Sequence, residues 1–135
     1  MKTLTDAARE DIQQTLRALR STSKLASSPW LSATLIEQCR REMPKLTRYD
    51  AVRAVFVAVL EELQKESPEH ADLLQGRFWE GHTVEEMVTD DRPWPGSGSS
   101  FYNHQKEAIT RFALLLWEKE QICKQNLQVW SELVS

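Results

Sequence analysis

From Ser99 to Ser135 the chain carries neither glycine nor proline, and no other feature constrains its fold as strongly. Within that run Ile109, Phe112, Leu116, Cys123, Leu127, Trp130 and Val134 recur at helical spacing, with a break at Lys119. Steps of three and four residues place side chains on one face of a helix rather than a strand. A helix of this length exceeds what a compact domain needs. Its far end is therefore expected to pack back on the first helices, to pair with a second copy of the chain as a homodimer, or to lead into a further segment.

The remaining segments give the same period. Thr5 and Asp6 are helix-starting residues, and Ala8, Ile12, Leu16 and Leu19 follow on one face, predicting an amphipathic helix to about Ser21. STSKLASS then reads as a linker. Ser28 before Pro29 starts a second helix, entered by Trp30, lined by Leu31, Leu35 and Cys39 and stopped before Pro44. Thr47 and Asp50 cap a third, which carries Val52, Val55, Phe56, Val59, Leu60 and Leu63 on more than one face, so it belongs at the centre of the molecule. Ser67-Pro68-Glu69 opens a fourth with Leu73, Leu74, Phe78 and Trp79, closed by Gly81 as a left-handed terminator. Thr83-Val84-Glu85-Glu86 is a capping box for a short helix that buries Val84, Met87 and Val88 and ends at Asp90-Asp91. Ser99 or Ser100 then caps the last helix.

The expected fold is all-α, with five to six helices in one domain. Its parts are an N-terminal helix (1–24), a helical support segment (25–66), a two-helix unit (67–118) and a C-terminal extension (119–135). No apolar run approaches the roughly 20 residues that cross a bilayer, and the polar start has no signal-peptide core, which predicts a cytoplasmic protein with no membrane contact. Cys39 and Cys123 are expected as buried thiols rather than a disulfide or metal knuckle. A formal charge of −3 gives the chain as a whole no attraction for nucleic acid.

LLQGRFWEGHTVEEMV followed by SSFYNHQKEAITRFALLLWE resembles the DNA-binding helices of bacterial sigma factor region 4 and related regulators. There an apolar helix ends in a glycine turn, a T-x-E-E helix follows, and the recognition helix opens with serine and an aromatic residue. The resemblance covers roughly residues 73–117. LASSPWLSATLIEQCR and RYDAVRAVFVAVL are similar to the helical segment that precedes such a unit in multidomain regulators joined to a signal-transducing ATPase. It implies a helix-turn-helix domain for transcription regulation, partnered by double-stranded DNA and carried within a larger ATPase-type polypeptide. The residues presented to bases would be Ser99, Ser100, Asn103, His104 and Gln105, with Lys106 and Arg111 toward phosphates and Phe101 and Ala108 facing the core.

Two features depart from that pattern. Arg92-Pro93-Trp94-Pro95 lengthens the turn, with Trp94 in place of an aliphatic plug. Between Gly76 and Arg111, the cations Arg77, Arg92, Lys106 and Arg111 face Glu80, Glu85, Glu86, Asp90, Asp91 and Glu107, a net of −2. Phosphate neutralisation supplies most non-specific affinity, so this surplus of acid supports a rival expectation. In that rival, a helix-turn-helix descendant recruits or oligomerises proteins through Trp94, Leu116, Leu127 and Trp130.

No other motif carries chemistry. PGSGSS offers backbone amides at a helix start but lacks the Lys and preceding strand of a nucleotide-binding loop. His70, His82 and His104 match no zinc spacing, Glu85 and Glu86 point about 100° apart on a helix, and no Ser-His or Cys-His arrangement is recognisable. The chain is expected to be a non-enzyme with no cofactor, metal or catalytic residues. Of its five tryptophans, Trp30, Trp117 and Trp130 fall on apolar stripes, while Trp79 and Trp94 flank the two-helix unit.

Overall fold

The computed structural model describes residues 5–89 and 98–134, and the side chains of these except 89, 98–100 and 127–134. Helix α1 (Asp6–Ala18) starts where Thr5 Oγ1 accepts the Ala8 amide at 3.1 Å. Ser21 caps a single turn, α2 (Thr22–Leu25), and Ser28 caps a 3-10 turn at Pro29–Ser32. Next come α3 (Thr34–Glu42), α4 (Arg48–Glu66) capped by Thr47, and α5 (Pro68–Leu74) running into a π turn at Gln75–Trp79. The last two helices are α6 (Val84–Thr89) and α7 (Gly98–Val134). The described residues contain no strand, so the chain is all-α as expected. None of their helices is long and apolar enough to cross a membrane.

The centre is α4. Ala51, Val52, Val55, Phe56, Val59, Leu60 and Leu63 are all buried, and the helix packs against α3, α5 and α7 at once. An aromatic chain runs through this core. Trp30 meets Phe56 edge-on at 6.3 Å, Phe56 meets Phe112 at 5.4 Å, and Phe112 meets Trp79 at 6.2 Å. It joins the 3-10 turn, α4, α7 and the π turn, and offset or edge contacts of this kind add to the area that aromatic rings bury.

The second half of α7 is docked by polar contacts. Ala33 precedes α3 without a side chain able to cap it, and Glu120 of α7, only 5% exposed, accepts the Leu35 amide at 2.9 Å instead. A carboxylate at that point completes the unsatisfied first turn and sits at the positive end of the helix dipole. Cys123 Sγ donates to Gln38 Oε1, and Lys119 pairs with Glu62 at 2.8 Å. These contacts hold α7 along α3 and α4, so the expected return of the long helix onto earlier helices occurs as far as Cys123.

Three local expectations are corrected. The linker STSKLASS contains α2, whose Leu25 is fully buried, because one apolar side chain can tie a short turn to the core without any periodic signal. The single helix expected from Ser28 to before Pro44 is two pieces. Ala33, extended at ψ 147°, separates the 3-10 turn that drops Trp30 into the core from α3, whose buried residues are Ile36 and Cys39 while Leu31 and Leu35 are only partly covered. The helix from Pro68 widens into the π turn, where Glu80 N reaches Gln75 O at 2.9 Å. That extra residue places Phe78 in the core and Trp79 on Phe112. Gly81 terminates it as expected, at φ +76°, and the His82 amide closes onto Gly76 O at 2.9 Å.

Candidate nucleic-acid interface

The capping box forms. The Glu86 amide donates to Thr83 Oγ1 at 3.1 Å, and the Thr83 hydroxyl donates to Glu86 Oε1 at 3.2 Å. His82 lies between two carboxylates, with Nε2 3.0 Å from Glu80 and Nδ1 3.0 Å from Glu86. Hydrogen bonds from His82 and then Thr83 hold the Glu86 carboxyl below the usual carboxylate range. The result is a fixed start for α6, whose Met87 is fully buried as the helix packs on α7.

Along the first turns of α7, Phe101, Gln105, Ala108, Ile109 and Phe112 face inward. Asn103, Lys106, Glu107 and Arg111 face solvent, as does Tyr102 at 55% exposure, while His104 is half-buried. Of the expected base-reading residues, Asn103 therefore stands on the outer face, with Lys106 and Arg111 on the same side of the core. Arg111 leans on Glu107 at 3.5 Å.

Gln105 is a correction. It is 6% exposed, and its Oε1 accepts from Arg77 Nε at 2.8 Å. Position 105 lies one turn from both Phe101 and Ile109, on the apolar stripe, so the side chain braces the π turn instead of meeting a base. Arg77 also donates through Nη1 to His82 O at 2.7 Å, so one guanidinium ties the Gly81 turn to α7. Leu116 is corrected too. Fully buried, it belongs to the chain's own core and offers no partner surface. The side chains of Ser99, Ser100, Leu127 and Trp130, and all of Trp94 with the rest of residues 90–97, lie outside the described residues. The backbone at Ser99 and Ser100 is already helical, α7 beginning at Gly98, so neither serine is the cap.

Sequence reasoning overlooked a groove beside this face. Arg9, Gln13 and Arg17 are spaced by four residues along one edge of α1, and with Tyr102, Gln105, Lys106 and Ile109 they line a depression of about 270 Å³. A second, of about 350 Å³, is lined by Arg17, Arg20, Lys24, Arg77, Leu16, Ser21, Phe78 and Gly81. A third, at about 190 Å³, adjoins them through Arg17 and Lys24. No Asp or Glu lines any of the three among the described residues.

Elsewhere among the described residues some cations are matched, while Arg41, Lys45, Lys65 and Lys124 are not. Arg48 pairs with Glu37, Arg53 with Asp50 and Lys119 with Glu62. At the groove's edge Arg9 pairs with Asp6 at 3.0 Å. In the groove the side chains of Arg17, Arg20, Lys24 and Lys106 make no hydrogen bond or ion pair among the described residues, and all four are exposed. The Arg20 guanidinium lies over Gly81, where an added Cβ would stand 1.6 Å from Nη1. Burial lowers the Arg77 pKa most. Tyr102 opposes the shift and the nearby positive charge of Arg17 adds to it.

The described residues hold no cluster of three or more His, Cys, Asp or Glu side chains able to bind a metal. Cys39 and Cys123 are free, buried thiols, and burial raises both above the ordinary thiol range. Compared with protein-family models, curated proteins and solved structures, the chain matches none.

Proposed function

We propose that the chain is a DNA-binding helix-turn-helix regulatory domain whose α7 enters the major groove by its first turns, within a larger ATPase-type regulator. The observation that carries the reading is the division of α7. Its inward face, with α6 against it, is anchored by Phe101, Gln105 and Ile109, which leaves Asn103 and Lys106 outward on a braced helix. Asn is suited to a bidentate contact with adenine, and Lys106 and Arg111 to phosphates. Ser99 and Ser100, one turn earlier on the same helix, join the reading face in this proposal, and His104 flanks it.

The test is selection from a randomised duplex pool at about 50 and 200 mM salt, with Asn103→Ala/Lys106→Ala as control. Enrichment of one sequence, lost in the control and weakened by salt, supports the reading. Absence of retention at the lower salt overturns it.

A second reading has one observation in its favour. Glu80, Glu85 and Glu86 are all exposed at and before α6, the helix that would brace against the phosphate backbone. A protein-interaction module tolerates that charge better than a DNA reader does. In that reading Trp94, Leu127 and Trp130 meet a partner protein or a second copy. Leu127→Asp/Trp130→Asp would then change the mass measured by light scattering, and an unchanged mass would remove the self-association arm.

A further inference from the structure

We infer that the α1–α2 groove seats the sugar-phosphate backbone of the duplex that α7 reads, with Arg17, Arg20 and Lys24 as the contacting cations; this rests on the DNA-binding reading above. Helix-turn-helix contacts from α6 and α7 alone would place an acidic surface on DNA. The groove reverses that local balance without changing the net charge of the chain. It is lined by Arg9, Arg17, Arg20, Lys24, Arg77 and Lys106 with no carboxylate among the described residues.

Three features favour a backbone over a small anion. The cations extend beyond a single point: Arg17, Arg20, Lys24 and Arg77 gather in one depression, and Arg9 stands roughly 12 Å along α1 from Arg17, a distance over which one DNA strand carries about three phosphates. Arg17, Arg20, Lys24 and Lys106 make no ion pair among the described residues, so phosphate contacts from these four break none. The groove is also continuous with the reading face, since Tyr102 and Lys106 of α7, one position and one turn from Asn103, close its far end.

Arg77 has a different part. Its guanidinium is committed to Gln105 and His82 O, so it acts as a fixed positive floor, while Arg17, Arg20 and Lys24 are free to follow the strand. Arg20 over Gly81 links the groove to the turn that leads from the π turn into α6, which couples the seating of the backbone to the placement of α6.

The experiment compares the full chain with Arg17→Gln/Arg20→Gln/Lys24→Gln, and with a control of equal charge change outside the groove, Arg41→Gln/Lys45→Gln/Lys65→Gln. Both sets substitute exposed side chains, and melting curves check that the variants fold. Affinity for the enriched duplex is followed against salt. The groove variant should bind about tenfold or more weakly at low salt, with its log-log salt slope smaller by about 2.7, and the control should stay near wild type. Arg17→Lys/Arg20→Lys should keep the wild-type slope.

If groove and control variants behave alike while Asn103→Ala still alters the sequence enriched, the groove assignment is wrong and the DNA reading stands. If the wild-type chain retains no duplex, the DNA reading itself fails and the groove has no backbone to seat. Equal competition by polyglutamate and duplex at matched charge would also overturn the assignment, marking a general polyanion surface.

Discussion

Gly81→Ala provides the sharpest test of how the two-helix unit is built. At φ +76° the residue occupies the left-handed region, which costs an L-residue with a Cβ about 1–2 kcal/mol. The new methyl also meets Arg20 Nη1 at 1.6 Å, but that atom ends a flexible, exposed side chain that can swing aside. The dihedral strain should therefore dominate, giving a loss of about 1–2 kcal/mol. For a domain of this size that is a fall of roughly 4–8 °C in melting temperature. Thermal and urea melts on Gly81→Ala and Gly81→Asn, each repeated in an Arg20→Ala background, separate the two contributions. Asparagine tolerates the left-handed region and should recover part of the loss. The Arg20→Ala background should leave the cost of alanine within about 0.5 kcal/mol of its original value. At a backbone angle that alanine accepts, the same change stabilises by about 0.4–1 kcal/mol through the unfolded chain. A neutral or stabilising result would thus refute the left-handed terminator, and a loss abolished by Arg20→Ala would show that the contact, not the dihedral, was the cause.

Two further outcomes are expected. Removing the buried carboxylate that caps α3 with Glu120→Ala should cost about 1.5–3 kcal/mol, the range for a hydrogen bond to a charged group, and Glu120→Gln less because it keeps an acceptor. Urea titration of both variants checks this, and equal stability of Ala and wild type would remove Glu120 from the account of how α7 docks. The Glu86 carboxyl is held below its ordinary range by His82 and Thr83, so its contribution is present above the unfolded carboxylate pKa and is lost as pH falls through the lower folded value. Urea midpoints followed from about pH 6 to about pH 3 should therefore fall less steeply for Glu86→Gln than for wild type, and parallel curves would contradict the assignment.

The elements most legible in the sequence were those whose local and long-range demands agree. Thr47 caps α4, and the apolar residues predicted on several of its faces are the ones buried between α3, α5 and α7. Gly81 and the Thr83–Glu86 box were legible for the same reason, since each is a backbone requirement that one residue type satisfies. The π turn was not, because Gln75–Trp79 has no distinguishing composition and widens so that Phe78 and Trp79 can both reach the core. Gln105 could have been placed correctly. Its spacing from Phe101 and Ile109 puts it on the buried stripe, but its polar side chain and early position in α7 argued for the outer face. Leu116 was likewise on a stripe that periodicity marks as apolar without saying whether its partner is the same chain or another.

The charge of the candidate site was the least legible property, for a topological reason. Net charge over residues 76–111 sums the two helices and their turn, yet a ligand meets only what shares a surface. Packing α1 against α7 brings Arg9, Arg17, Arg20 and Lys24 beside Arg77 and Lys106. Those residues come from three stretches that no sequence window joins. The carboxylates of α6, meanwhile, are partly occupied by His82 and Thr83. In the DNA-binding reading a polyanion meets its densest set of cations over one groove, which ties orientation to affinity. In the DNA-binding reading this makes non-specific binding weak, because few poses satisfy the groove. It also makes sequence recognition dependent on the groove, because α7 alone contributes only Lys106 and the Glu107-paired Arg111 to the phosphates. An acidic chain is in this way compatible with a DNA-reading helix, provided that the backbone is held by a helix outside the reading unit.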